Sequence, residues 1–472
     1  MEDSSPLFPL QRGSRTNSFF LILQSSSFYK TKLSGFTIWV FTFPPLEGDE
    51  GGGRKSQITT AKGSIRRRRI ITNHKSRIPN HKSRITNHAS QILNYKSRII
   101  NAFLFLSKIQ IIRMHTFNSE AYTIEVGPIE ESSFNSVLLN NYANSKIVII
   151  VDENTHDACL EYLLTTFDAL KEAEVMLLPA GEENKVMEVC FQVWEALSEY
   201  QIGRKDLIIN LGGGVVTDMG GFIASIFKRG IDFIHLPTSL LAMVDAAIGG
   251  KTGIDLGPLK NQLGVFAHPK HIYVDPIFLV SLPPEEFLNG YAEMLKHGLI
   301  YDKALWDKLK VMNDLAQLAD IEILMQCIAV KQTIVEQDPL EKGIRKVLNY
   351  GHTVGHAIEG FFMDKDPIAH GHAVAIGMLA EAHIAMKRTV LAKEAFHEIE
   401  TIILQHFPMI HLEEEDIKEI IRLTLHDKKN EQNKINCTLL SGIGDSLIDC
   451  FVSEEELNEA LNYLTIYKIN LN

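Results

Sequence analysis

The chain has 472 residues, enough for two or three domains with sizeable cores, and its 45% apolar and 22% charged residues are ordinary for a globular protein. Five scattered cysteines (Cys159, Cys190, Cys327, Cys437, Cys450) form no CxxC pair, which argues against a disulfide framework or zinc knuckle and for a reducing compartment. The net charge of −11 is unevenly spread: residues 1–113 hold 19 Lys and Arg against 5 Asp and Glu, so the remainder is strongly acidic and does not suggest a nucleic-acid partner.

The chain opens with short apolar runs, "SFFLILQ" and "FTIWVFTF", too short and too polar to span a membrane. "TNHKSRIPNHKSRITNHASQILNYKSRII" then repeats every seven residues, with Asn73, Asn80, Asn87 and Asn94 in register. Isoleucine recurs at only one position per repeat, so no second apolar seam supports a coiled coil. Residues 1–113 are expected to be a non-native or disordered leader, translated from upstream of Met114. A basic, Ser-rich arm for RNA binding or targeting is the alternative.

From Lys146 the text changes to strand-length apolar runs, "KIVIIVDE", "AEVMLLPAG", "KDLIINLGGG", "DFIHLPT" and "HIYVDP", separated by helical stretches such as "MEVCFQVWEALSEY". Buried parallel strands read this way. The pattern predicts a Rossmann-like α/β domain over 114–284, punctuated by Pro283 and Pro284. From Glu285 strands nearly vanish, predicting an all-helical C-terminal domain over 285–472. Ligands are expected in the crevice between the two.

Within the first domain, "INLGGGVVTDMGGF" places Gly212, Gly213 and Gly214 between a strand and a helix, where backbone can approach a phosphate. It is neither standard nucleotide fingerprint, and a structural turn explains it equally well alone. Two other strand ends are polar: "VDEN" offers Asp152 and Asn154, and "PAGEENK" offers Glu182 and Lys185. Together the three predict a dinucleotide site. "LPTSLLAMVDAAIGGKTGIDLGPLKNQLGVF" embeds Asp245, Lys251, Lys260 and Asn261 among small and apolar residues. Such charges are aimed at an anionic, hydroxyl-rich ligand or paired in a core, Asp245 with Lys251 for example.

In the helical region, "GYAEMLKHGLI" sets Glu293 and Lys296 on one helix face, and Lys331, Arg345 and Asn349 precede "LNYGHTVGHAIEG" with His352 and His356. His370 and His372 follow in "HGHAVAIG". Glu293, His352 and His370 form one possible three-ligand set of the open, catalytic kind, although sequence spacing gives it little support.

Taken together, "GGGVVTDMGGF", "LPTSLLAMVDAAIGGKTGID", "LKNQLGVF", "GYAEMLKHG", "LNYGHTVGHAIE" and "HGHAVAIGM" closely resemble the 3-dehydroquinate synthases, in order along 114–472. The resemblance implies NAD and a divalent metal, Zn or Co, a homodimer, and a sugar-phosphate substrate in the cytoplasm, with no membrane partner. It implies Glu293, His352 and His370 as metal ligands. Asp152, Asn154, Glu182, Lys185, Gly213, Gly214, Asp218, Thr238, Ser239, Leu279 and Ser281 fall on NAD contacts, with Lys260 at the NAD–substrate boundary and Lys251 shared. Asp245, Lys251, Asn261, Lys296, Lys331, Arg345, Asn349 and His356 fall on substrate and proton-transfer positions. Arg229 matches a residue that reaches the partner subunit's substrate, and Lys428, or its neighbour Lys429, a substrate-contacting lysine. Thr217, Ser239 and His372 replace the family's usual Gly, Thr and Glu; none is a charged ligand, so activity is expected to survive. The alternatives are a sister sugar-phosphate cyclase or a polyol dehydrogenase.

Overall fold

The computed structural model describes residues 114–257, 259–363, 365–425 and 435–465, together with the backbone of 27–33 and 36–42. Nine strands form one sheet in the order β1-β2-β6-β5-β7-β8-β11-β4-β3. They are β1 (Ser27–Leu33), β2 (Phe36–Thr42), β3 (His115–Asn118), β4 (Thr123–Val126), β5 (Ile147–Asp152), β6 (Glu174–Leu178), β7 (Leu207–Gly212), β8 (Asp232–Pro237) and β11 (His271–Val274). Pairing is parallel from β2 to β4 and antiparallel only at the two edges.

Successive side chains of a strand point to opposite faces, and here both faces are buried. Ile149 and Val151 of β5 join one apolar cluster, which continues into the C-terminal half of the chain, while Val148 and Ile150 join another. That second cluster is covered by helices α1 (Met187–Glu199) and α2 (Gly214–Ile226). Continuous β-branched runs are therefore what these strands need.

The hairpin of β1 and β2 lies within the segment expected to be a leader, and β2 pairs with β6 through Ile38, Trp39 and Val40. The seven-residue repeats lie outside the described residues. A two-stranded ribbon, β9 (Lys251–Leu256) and β10 (Leu259–Phe266), leaves the sheet and carries Lys251, Lys260 and Asn261.

The helical half begins where the prolines mark it, with α3 (Pro284–Ile300), followed among others by α4 (Ile321–Gln337), α5 (His352–Phe362), α6 (His370–Lys387), α7 (Lys393–His406), α8 (Glu414–Leu425) and α9 (Glu454–Thr465). Helix α6 is apolar nearly all round and buried from Ala373 to Ala385, as a central helix should be. The expected all-helical domain also contains a β-hairpin, β12 (Ile435–Gly442) and β13 (Asp445–Val452). Its outer strand alternates exposed and half-buried residues around a turn at Gly444, whose φ of 90° is open to glycine. No helix among the described residues is long and apolar enough to cross a membrane.

One buried titratable group in the sheet makes stability depend on acid. His235 of β8 pairs with Asn210 at 3.2 Å, and burial pushes its imidazole down to about 3. Its contribution is complete above about pH 6.5, where the unfolded ring is also neutral. It declines by about 1.4 kcal/mol per unit as pH falls from there towards about 3, because only the unfolded chain takes up the proton. Urea melts at pH 7 and pH 5 should show a smaller loss for His235→Gln than for the parent chain.

Candidate active site

The floor of the site is a helix pair held at close range by glycine. A Cβ added at Gly377 of α6 would lie 2.0 Å from the carbonyl oxygen of Gly351, and one at Gly355 of α5 would lie 3.0 Å from the carbonyl oxygen of Ala373. Gly351 itself enters α5 with a left-handed φ of 79°. These absent side chains bring the N-terminal turns of α5 and α6 together. The rings of His352 and His356 come within 5.2 Å, and those of His352 and His370 within 5.5 Å. Asn289 of α3 accepts the N–H of Gly371 at 2.9 Å, which fixes the same end of α6 against the helix carrying Glu293. Gly377→Ala should therefore cost about 2 kcal/mol or more, since overpacked backbone contacts relax poorly. A thermal melt of the metal-free protein measures it.

Glu293 is fully buried. Its Oε1 faces Nε2 of His352 at 3.3 Å and Nε2 of His370 at 3.5 Å, and its other oxygen meets Lys296 one helical turn away. Neither oxygen accepts a well-directed hydrogen bond among the described residues. Burial opposes its charge, but Lys296 and His352 more than offset that and hold the carboxyl well below the usual range. Nδ1 of His352 lies 3.1 Å from the Tyr350 carbonyl, which can only accept, so the lone pair is left on Nε2. Nδ1 of His370 likewise donates to Glu359 at 3.0 Å. Two imidazole lone pairs and a carboxylate aimed at one point are what a divalent cation requires, with the outer ring nitrogens anchored in the usual manner. The ring nitrogens of His352, His356 and His370 alone also lie within 4.8 Å of one another, so geometry does not by itself separate ligand from proton carrier. His372 turns away, to the carbonyl of Pro408.

Cationic groups form the adjoining wall. Asp245, on a single wide turn at Ala242–Ala246, binds Lys331 at 2.7 Å, His297 at 3.2 Å and Lys296 at 3.6 Å through one oxygen. The core pair Asp245–Lys251 does not form: Lys251 instead meets Glu341 at 2.5 Å, and Glu341 also accepts from Asn349 at 2.8 Å. Arg345 is buried, donating to the carbonyls of Pro339 and Gly249, while its Nε finds no hydrogen-bond partner among the described residues. Glu341 holds a left-handed φ of 57°, which nothing in the local sequence announces.

The polar strand ends meet on the sheet side. Lys185 donates to Asp218 and Asn261, each at 2.7 Å, and lies 3.6 Å from Glu182. Lys260 lies 3.1 Å from Glu182. Gly213 caps α2, where Thr217 returns its hydroxyl to the carbonyls of Gly213 and Gly214. This back-bonding uses the hydroxyl inside the turn, so the Thr in a glycine slot is accommodated locally. Thr238 and Ser239 are buried beside the turn, and a Cβ at Gly213 would meet the Ser239 hydroxyl at 3.2 Å. Asp152 caps the turn after β5 with Thr155, Asn154 is exposed, Leu279 is sealed in the core and Ser281 is half-buried. Arg229 is exposed just beyond the far end of α2, a helix of about 20 Å. It is therefore not brought to this cluster. Lys428 lies outside the described residues.

The 3-dehydroquinate synthase N-terminal model matches residues 175–289, and the 3-dehydroquinate synthase C-terminal model matches residues 290–430. A 3-dehydroquinate synthase of Parabacteroides distasonis is 40% identical over 328 residues, covering 69% of this chain and 93% of the relative. The chain belongs to the 3-dehydroquinate synthase family. A Clostridium botulinum 3-dehydroquinate synthase is 38% identical over 313 residues, 65% of this chain and 88% of its own. Among solved structures, the 2-epi-5-epi-valiolone synthase ValA of Streptomyces hygroscopicus, with NAD+ and Zn2+ bound, matches at a TM-score of 0.65 and 25% identity, over 75% of this chain and 99% of that one. A 2-deoxy-scyllo-inosose synthase matches at 0.66 and 24% over 75% and 99%, which shows the shared fold. Motifs and fold therefore agree: the Rossmann-like sheet and the helical half are those of sugar-phosphate cyclases.

Proposed function

We infer that the chain converts 3-deoxy-D-arabino-heptulosonate 7-phosphate to 3-dehydroquinate and phosphate, as a phosphorus–oxygen lyase of the shikimate pathway, and that it uses NAD+ and a divalent cation, Zn2+ or Co2+, to do so. The observation that carries this reading is the convergence of Glu293, His352 and His370 beside a wall of Lys251, Lys331 and Arg345. The 25%-identical valiolone synthase with NAD+ and Zn2+ supports the cofactors.

Glu293, His352 and His370 would hold the cation, and the polar ends of β5, β6 and β7 the dinucleotide. When bound, the two supply a Lewis acid and a hydride acceptor that later returns the hydride. The protein's own groups do the rest. Lys251, Lys331 and Arg345 bind the substrate carboxylate and phosphate, and the planar guanidinium of Arg345 suits a bidentate contact. Asp245 positions Lys296 and Lys331 by sharing one oxygen between them. His356, beside the metal-site rings, takes the proton from the reacting hydroxyl, with Asn349 and Lys296 nearby. Asn261, fixed by its backbone bond to Asp255 at 2.7 Å, orients the substrate next to the nucleotide.

In the same reading, residues 114–284 bind the nucleotide and residues 285–472 bind metal and substrate. The enzyme works in the cytoplasm as a homodimer, in which exposed Arg229 serves the partner's site. Residues 1–113 are read as a non-native or disordered leader, and N-terminal sequencing that finds the Asn73–Asn94 repeats in the mature protein refutes the non-native reading. The activity test is incubation with the heptulosonate phosphate, NAD+ and Co2+. Phosphate release without accumulating NADH supports the reading, whereas steady NADH production or no turnover overturns it.

A further inference from the structure

A line of alternating charges joins the sheet side of the site to its helical floor. Nζ of Lys260, on the ribbon strand β10, lies 3.1 Å from Glu182, 3.2 Å from Asp255 and 3.2 Å from Oε1 of Glu359 on α5. The second oxygen of Glu359 accepts from Nδ1 of His370 at 3.0 Å. The side chains of Lys260 and Glu359 are only 6% and 11% exposed, so this is not a solvated surface pair. Nothing in the motif reading gave Glu359 a role.

We propose that Glu359 is a positioning residue that fixes His370 as a metal ligand, and that Lys260 ties this ligand to the nucleotide side, so that NAD+ and the metal each tighten the other's binding. The proposal rests on the metal and NAD+ reading above. A carboxylate can only accept, so Glu359 obliges His370 to carry its proton on Nδ1 and to present Nε2 towards Glu293. The two oxygens of Glu359 serve different partners, and the carboxylate cannot rotate without disturbing both. Lys260 is shared among three carboxylates. A ribose whose hydroxyls donate to Glu182 satisfies that carboxylate and leaves Lys260 more fully to Glu359, which steadies His370. Linkage makes the effect reciprocal.

The test is Co2+ titration of the metal-free full chain by chelator competition, with and without saturating NAD+, comparing the parent with Glu359→Gln. The parent should bind Co2+ at least about fivefold more tightly with NAD+ present. Glu359→Gln should bind it about 10- to 100-fold more weakly, with an altered Co2+ d–d absorption spectrum. Its response to NAD+ should shrink below about twofold, while the NAD+ affinity of the metal-free variant stays near that of the parent. Co2+ affinity and spectrum equal to the parent's overturn the positioning role, and an undiminished NAD+ effect in the variant overturns the coupling. A parent chain that binds no Co2+ at all, as His352→Ala should, instead overturns the metal reading and this inference with it. Should Glu359→Gln lose its cooperative melt, Glu359→Asp, which keeps the charge at shorter reach, carries the same comparison.

Discussion

Glu293→Gln should lower turnover by about a thousandfold or more and leave the purified protein without a stoichiometric divalent cation. Removing a Lewis acid and its charge stabilisation costs several kcal/mol of barrier, and each 1.4 kcal/mol is about tenfold in rate. Glutamine is close to glutamate in shape, so packing of α3 is retained, but the substitution removes the charge from a buried carboxylate that faces two imidazole nitrogens and Lys296. Lys296 then loses the charge of its partner one turn away and keeps Asp245, at 3.6 Å, as its carboxylate among the described residues. Metal analysis of the purified variant and a phosphate-release assay, each against the parent chain, measure the two halves of the effect. A variant with full metal content and full turnover would remove Glu293 from the ligand set.

His356→Ala separates proton transfer from metal binding. The turnover number should fall by about 10²- to 10⁴-fold, the usual worth of a positioned acid–base group. Metal content should stay at the parent value, in contrast to His352→Ala. The comparison matters because the three imidazoles stand close enough for any of them to be a ligand. If His356→Ala emptied the metal site and His370→Ala did not, the two roles would have to be exchanged. Steady-state kinetics with metal analysis of the two variants decides it.

Much of the architecture was legible in the chain. Continuous β-branched runs announced a sheet buried on both faces, and the double proline marked where helices take over, because both are local consequences of covering a strand or starting a helix. The polar strand ends and the histidine cluster were also readable as concentrations of chemistry. Partners drawn from distant segments were not. Spacing put Glu293 and Lys296 on one helix face, where they pair, but nothing local told Lys251 to choose Glu341 over Asp245. Lys260 and Glu359 come together only because the ribbon folds over α5. The β12–β13 hairpin was hidden for a different reason: its alternation is short, and it sits in a helix-rich neighbourhood. The glycines of α5 and α6 looked like punctuation around histidines, whereas they set how closely the two helices approach.

Asp245 offers a single oxygen to three nitrogen-bearing side chains, while the Nε of Arg345 finds no hydrogen-bond partner among the described residues. Among the described residues the four cations Lys251, Lys296, Lys331 and Arg345 thus face three carboxylates, Asp245, Glu293 and Glu341. On the proposed reading an anion bound there would supply counter-charge, and inorganic phosphate carries the same kind of charged oxygens as the phosphate ester. If those cations hold the substrate's phosphate as proposed, the group expelled in the reaction is one the same wall would bind. Its departure would then be a step of its own, and added inorganic phosphate should compete with the substrate, which inhibition kinetics measures.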